Sequence, residues 1–242
     1  MAVNTQAPFG LQAIKYLNGA LWNGQVSQYK IQSGYSNNIF RGDPVIIGIP
    51  PGGVGGGVDG HVMSLANVAT GTYPGNATAP IQNTPILGVF VGCSYQQEPS
   101  LNPIDPASPG RSYWPAGTQT LGNADAIAYV IDDPNVVYAI QANGPTSASD
   151  AFNYSYVEFN YSASPITLGN FQTGQSTAFM EATTLSTALL PAPATAGTTY
   201  PFTLRTLRFA QPSGLAENVD GASFNIWEVV IENHYFAARS PV

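Results

Sequence analysis

Short apolar runs separated by turn-forming residues are the feature that most restricts the fold of this chain. The runs 84–95 (TPILGVFVGCSY) and 135–143 (NVVYAIQAN) are rich in Val, Ile and aromatic residues, and each lies between segments that contain Asn or Pro. The chain also holds 25 Gly and 20 Pro. Gly and Pro interrupt helices, whereas β-branched and aromatic residues favour strands. The pattern therefore predicts an all-β fold.

Three further segments are among those that read as strands. Residues 45–49 follow Pro44, which starts a strand at the position where a missing N–H costs least. Residues 124–133 and 223–236 are apolar over most of their length. Because only the turn signature Asp132-Asp133-Pro134 separates 124–133 from 135–143, we expect those two strands to pair as a hairpin.

The distribution of Gly, Ser and Pro suggests how the chain is divided. Residues 144–150 (GPTSASD) break the composition, and we place a boundary there. The prediction is two small β-sandwich or β-barrel-like domains: an N-terminal arm plus a first β-domain over 1–145, and a second β-domain over 146–242. Long loops are expected at 50–60, which is mostly Gly, and at 96–110, which is dense in Pro and Asn.

The scarcity of charge restricts the possible partners. Only 9% of the residues are Asp, Glu, Lys or Arg, and the net charge is −7, whereas an average soluble domain is about 25% charged. No stripe of cations is present to neutralise phosphates, so neither nucleic acid nor an anionic membrane is an expected partner. No run of about 18 apolar residues suggests a membrane span. A surface this poor in charge is typical of a protein covered by other subunits.

Sequence motifs for catalysis or metal binding are weak. A single Cys93 with His61 and His234 provides no zinc-type cluster. Arg41-Gly42-Asp43 spells a cell-adhesion tripeptide but directly precedes a predicted strand, so a turn is the better interpretation. No G-x-S-x-G occurs, and the glycine run 52–57 lacks the Lys-Ser/Thr of a phosphate-binding loop. We expect no enzyme activity, no catalytic residues, no metal and no cofactor.

Aromatic and leucine side chains are the candidate contact residues. Tyr95, Tyr113 and Trp114 flank the long loop 96–110. They suit a subunit interface, where Tyr and Trp are enriched, and also a sugar-binding face; we favour the interface. The pairs Asn18-Gly19 and Asn23-Gly24 predict tight turns near the N-terminus. An N-terminal segment of this kind can add its strand to the sheet edge of a neighbouring chain, and we predict four contact residues there: Phe9, Tyr16, Leu21 and Trp22.

Several segments, taken in chain order, resemble the capsid decoration (cement) proteins of tailed phages. Each is a turn-and-strand signal rather than a reactive signature. They are FGL at 9–11, YLNG at 16–19, NGQ at 23–25, GDPV at 42–45, ILGVFVGC at 86–93, YWPAG at 113–117, residues 124–134 and residues 229–234.

The resemblance implies a β-rich protein on the outer surface of the virion capsid, made in the host cytoplasm. Proteins of that family bridge neighbouring major capsid proteins, commonly as homotrimers, and have no catalytic residues. A receptor-binding or carbohydrate-binding module of a tail or fibre is the alternative, and it depends on Tyr95, Tyr113 and Trp114. Purified particles would distinguish the two, because the first belongs to the head and the second to the tail.

Overall fold

The computed structural model describes residues 6–48, 60–65, 85–97, 108–146, 156–157, 159–160, 169–180, 204–210, 218 and 221–237. Seventeen strands occur in these ranges. They are β1 (Gln12–Tyr16), β2 (Ser27–Ile31), β3 (Ile39–Phe40), β4 (Pro44–Ile47), β5 (Val62–Ser64), β6 (Gly88–Tyr95), β7 (Ser108–Arg111), β8 (Tyr113–Trp114), β9 (Ala126–Ile131), β10 (Val136–Gln141), β11 (Tyr156–Val157), β12 (Phe159–Asn160), β13 (Gly169–Asn170), β14 (Gln175–Ser176), β15 (Phe179–Met180), β16 (Leu204–Phe209) and β17 (Ile226–Ile231). A 3-10 turn covers Leu121–Asn123. The prediction of an all-β protein is confirmed.

One sheet curls into a barrel. Its strand order is β2-β9-β6-β4-β5, with β7 also paired to β6, and all of these pairings are antiparallel. An isolated parallel bridge between Lys30 and His61 joins the first and last strands of that order. The Asp125 carboxylate lies across the same seam, with Oδ2 3.4 Å from Lys30 Nζ and Oδ1 3.0 Å from His61 Nε2.

The second large sheet has the order β1-β10-β17-β16-β11. Its central strand β17 is buried over most of its length, and the neighbouring β10 is buried along its whole length. Buried side chains from this sheet, such as Tyr138 and Trp227, form one apolar cluster with barrel residues such as Val89 and Phe90. The two sheets therefore share one hydrophobic core. Three two-stranded sheets, β3-β8, β12-β15 and β13-β14, complete the described strands.

Two expectations about chain organisation need correction. β9 and β10 do not pair with each other: β9 belongs to the barrel and β10 to the five-stranded sheet. Residues 132–135 are thus a corner between sheets, where Asp133 Oδ1 accepts a hydrogen bond from Asn135 N at 2.8 Å. Strand pairing also crosses the boundary predicted between 1–145 and 146–242, because β10 pairs with β17. A cut at that boundary would divide the five-stranded sheet.

The two predicted long loops lie largely outside the described residues. Only Gly60 of 50–60 is described, and of 96–110 only Gln96, Gln97 and residues 108–110 are. Residues 108–110 belong to β7, which pairs with β6, so that end of the predicted loop is a strand. None of the described residues forms a helix long and apolar enough to cross a membrane.

Candidate functional site

The N-terminal segment folds back on itself in a tight hairpin. Tyr16 N donates to Ala20 O at 2.8 Å, and Gly19 N donates to Tyr16 O at 2.9 Å. Asn18 Oδ1 accepts from Ala20 N at 3.0 Å, while Gly19 has φ +88, a left-handed conformation that glycine adopts without a steric penalty. The turn predicted from Asn18-Gly19 is confirmed.

Two leucines stand out on this hairpin because they are exposed. Leu21 is 82% exposed and Leu17 is 44% exposed. The adjacent Tyr16 hydroxyl donates to Asn23 Oδ1 at 2.9 Å, and the same oxygen accepts from Gln25 N at 3.0 Å. The second turn therefore helps to fix the first. We call Tyr16, Leu17 and Leu21 the hairpin contact surface.

The predicted strand exchange with a neighbouring chain does not fit the pairing of β1. One edge of β1 pairs with β10 of the same chain. On its other side, Lys15 forms a bridge with Leu21, and Trp22 N donates to Ile14 O at 3.4 Å. Because both edges of β1 already have partners within the chain, any contact through this segment must use side chains.

Phe9 and Trp22 line a cleft between the N-terminal segment and the barrel. Its volume is about 320 Å³. Among the described residues, the apolar lining comes from both sheets and from the segment before β1, and the polar lining is uncharged except for one arginine. The lining residues are Phe9, Leu11, Gln12, Ala13, Trp22, Arg41, Gly42, Val91, Ile131 and Gln175.

The Arg41-Gly42-Asp43 turn forms one wall of this cleft and is built into the fold. Gly42 has φ +94. The backbone of Phe9 packs so closely against Gly42 that an added Cβ would lie 2.8 Å from Phe9 O. Leu11 N donates to Gly42 O at 2.9 Å, and Gly42 N donates to Phe90 O at 2.8 Å. The turn interpretation is confirmed, and the glycine is needed for both conformation and close approach.

Asp43 is fully buried, so this tripeptide does not display its carboxylate. Burial raises the pKa of Asp43 to about 7, against the hydrogen bonds from the Ser176 hydroxyl and Phe40 N, which lower it. Phe40 N lies 2.8 Å from Asp43 Oδ2. Desolvation outweighs these bonds because a carboxylate loses far more hydration than two donors restore.

The aromatic residues that flank the predicted loop 96–110 are mostly core residues. Trp114 is 0% exposed and Tyr95 is 7% exposed, with ring centroids 5.0 Å apart in an edge-to-face pair. Trp114 Nε1 donates to Tyr35 O at 3.3 Å. Our prediction that Tyr95 and Trp114 are interface contacts is therefore wrong, because their packing within the chain consumes the apolar surface. Tyr113 is half-buried and stacks on Phe40 at 5.3 Å.

Both histidines have local roles. His61 Nε2 lies 3.0 Å from Asp125 Oδ1 at the barrel seam. Although burial raises the pKa of Asp125, the interactions with His61 and Lys30 outweigh it and the net shift is downward. His234 Nδ1 accepts from Phe236 N at 3.1 Å.

Two features of this region were missed at the level of sequence. Leu17 was not among the predicted contacts, although it lies in the Asn-Gly turn where a side chain projects outward. The position of Arg41 beside Phe9 and Trp22 arises from contacts between segments far apart in sequence, so no local pattern signals it. Comparisons with protein-family models, curated proteins and solved structures found no match.

Proposed function

We propose that this protein is a structural protein of a tailed-phage virion that decorates the outer surface of the icosahedral capsid and cements neighbouring major capsid proteins. The observation that carries the proposal is the hairpin contact surface: Leu17 and Leu21 are exposed on a turn whose backbone is fixed by hydrogen bonds. Burying a leucine side chain contributes about 1.5–3 kcal/mol. A fixed turn loses little conformational entropy when it docks, which favours its use as a contact.

The distribution of charge supports contact through uncharged surface. Lys15 and Arg208 both pair with Glu228, at 2.7 and 2.9 Å, and Arg205 pairs with Glu232 at 3.3 Å. These charged groups serve internal contacts on one face of the five-stranded sheet. Many copies on a shell, each held by modest apolar contacts, would be retained by avidity.

The alternative, a carbohydrate-binding module of a tail or fibre, has less support than the sequence suggested. It depended on three aromatic side chains, and two of them, Tyr95 and Trp114, are buried. Buried rings present no face on which a sugar can stack. The structural role on the head is therefore the better proposal.

The test uses capsids that lack the protein, to which purified protein is added back. We expect the wild type to sediment with capsids and the double variant Leu17→Asp/Leu21→Asp to remain in the supernatant, since each introduced carboxylate would have to be desolvated at the contact. Leu121→Asp is the matched control, because Leu121 is 45% exposed but lies on the 3-10 turn. It should bind as the wild type does.

Three results would overturn the proposal: equal binding of the double variant and the wild type, absence of the protein from purified particles, or its location on the tail. Native mass spectrometry tests the expected homotrimer separately. If the protein is a monomer but is present on intact particles, the homotrimer prediction is wrong and the decoration proposal is unaffected.

A further inference from the structure

We propose that the cleft lined by Phe9, Trp22 and Arg41 is a binding site for a carboxylate carried on a small apolar body, such as an aryl or branched alkyl group. This proposal is independent of the capsid role. At about 320 Å³ the cleft is at the lower end of ligand-site volumes. It therefore suits a ligand of fragment size.

Arg41 differs from the other cations that the structure describes. Lys15, Arg205 and Arg208 pair with glutamates, Lys30 pairs with Asp125, and Arg111 lies over the Tyr95 ring at 5.2 Å. Within the described ranges, the guanidinium of Arg41 has neither an acidic partner nor an aromatic ring beneath it. An arginine guanidinium is always charged and matches the planar, two-oxygen geometry of a carboxylate.

Hydrogen bonds hold the backbone of Arg41 in position. Arg41 N donates to Ser112 O at 3.1 Å and to Gly174 O at 2.9 Å, and Arg41 O accepts from Ser176 N at 2.9 Å. The residue thus connects the link between β7 and β8 with the β13-β14 hairpin. These bonds fix the backbone of Arg41, and its exposed side chain lies beside the cleft.

Trp22 adds a second polar group that needs a partner. Its Nε1 is buried and has no hydrogen-bond acceptor among the described residues. Buried polar atoms in proteins are nearly always hydrogen-bonded, so this N–H is unusual. The residue itself lines the cleft, and a ligand bound there changes the surroundings of its indole N–H.

The rest of the lining suits an apolar body and disfavours a cation. Val91 and Ile131 come from the barrel, Leu11 and Ala13 from the N-terminal segment, and Phe9 adds an aromatic face. None of the described residues that line the cleft is acidic, although the chain as a whole has a net charge of −7. The charge of the described lining therefore favours a carboxylate over an amine, and its apolar side chains can contact the body of the ligand.

The three tryptophans of the chain provide a direct readout. Trp114 Nε1 donates to Tyr35 O and Trp227 Nε1 donates to Thr146 Oγ1, whereas Trp22 is a lining residue of the cleft. We expect 3-phenylpropionate, added to the ¹⁵N-labelled protein, to shift one of the three indole N–H resonances saturably. That resonance should be the one missing from the spectrum of Trp22→Phe.

Arg41→Gln should weaken binding by about tenfold or more, the usual effect of losing a charge-assisted hydrogen bond, while Arg41→Lys should lose less. Unchanged Trp114 and Trp227 resonances show that each variant is folded. The neutral analogue 3-phenylpropanol should bind more weakly than the acid. Lys30→Gln, an exposed cation outside the cleft, is the matched control and should bind as the wild type does.

Equal affinity for the acid and the alcohol, or an unchanged affinity in Arg41→Gln, would overturn the carboxylate assignment. The absence of any saturable shift of the Trp22 resonance would overturn the site. A peptide that ends in phenylalanine, tested with a free and with an amidated C-terminus, distinguishes the two sources of this chemistry. Binding of only the free acid form of the peptide assigns the cleft to a chain terminus, and failure of both forms assigns it to a small carboxylic acid.

Discussion

Asp43→Asn should make the protein more stable at neutral and alkaline pH. Asp43 is fully buried, and burial raises its pKa from the ordinary 3.8 to about 7. Asn has the same shape, keeps an oxygen for Phe40 N and never ionises. The substitution therefore removes the penalty of a buried negative charge without removing the backbone contact.

The sign follows from linkage between protonation and folding. Because the pKa of Asp43 is raised in the folded state, the carboxyl supports folding fully below about pH 4, and this contribution is lost as the pH rises through 7. Each pH unit in that window corresponds to about 1.4 kcal/mol, so the whole difference has an upper value of about 4 kcal/mol. Above pH 7 the penalty stays constant.

Urea unfolding of wild type and Asp43→Asn between pH 4 and pH 8 is the assay. We expect similar free energies of unfolding near pH 4 and a gap in favour of the variant that widens up to about pH 7. Parallel curves at all pH values would refute the reasoning, since Asp43 would then ionise as easily in the folded chain as in the unfolded chain. A lower stability of the variant at pH 8 would refute it as well.

Three further substitutions test the packing and the barrel seam. Trp114→Ala should lower the free energy of unfolding by about 3–5 kcal/mol in urea titrations, because the ring is fully buried; Leu121→Ala, on the exposed 3-10 turn, should change it by less than about 1 kcal/mol. Gly42→Ala should lower the free energy of unfolding by about 1–3 kcal/mol, because φ is +94 and Phe9 O leaves no room for a Cβ. The control Gly117→Ala should lower it less, because φ is +71 there but no atom lies within 4 Å of the added Cβ. Asp125→Asn should lose stability above about pH 4 and approach the wild type at lower pH, because the pKa of Asp125 is lowered in the folded state.

Each of these expectations has a contrary result. Similar losses for Trp114→Ala and Leu121→Ala would contradict the burial of the tryptophan. A Gly42→Ala variant as stable as Gly117→Ala would show that the contact with Phe9 O relaxes at no cost. For Asp125→Asn, a stability difference that grows as the pH falls would have the wrong sign for a carboxyl that is stabilised in its charged form.

Strand positions followed from the sequence because they depend on local patterns. The run 84–95 contains β6 (Gly88–Tyr95), and 135–143 contains β10 (Val136–Gln141). The Asn18-Gly19 turn was also predictable, since few residues other than glycine accept a positive φ. Composition and turn chemistry act over a few residues, and strand positions and tight turns depend only on such local properties.

Strand partners did not follow, and the corner at 132–135 shows why. A four-residue connection between two apolar strands fits a hairpin and also a change of sheet. Contacts between residues far apart in sequence favour the change of sheet. Asp132 accepts hydrogen bonds from the hydroxyls of Ser27 at 2.9 Å and Tyr29 at 2.7 Å, both on β2. Those contacts tie the end of β9 to the barrel while the chain leaves for the other sheet.

The aromatic residues illustrate the same limit in the search for a site. Trp114 and Trp22 look equivalent in sequence, as each lies beside turn residues. Trp114 is enclosed by barrel residues, whereas Trp22 borders a cleft that exists only because the N-terminal segment crosses the barrel. Whether an aromatic side chain is a core or a contact residue thus depends on which distant segments pack against it.

The positions of the few charges predict different salt dependences for the two proposed binding surfaces. The described cations other than Arg41 are satisfied within the chain, on the five-stranded sheet, at the barrel seam or over Tyr95. Contacts made by the hairpin contact surface should therefore depend little on salt, because screening acts on exposed charges and not on apolar burial. Binding at the Arg41 cleft should weaken as salt rises, since a free guanidinium would attract its ligand by charge. A capsid attachment that persists at high salt while carboxylate binding declines would separate the two surfaces in one titration, and the opposite pattern would contradict both assignments.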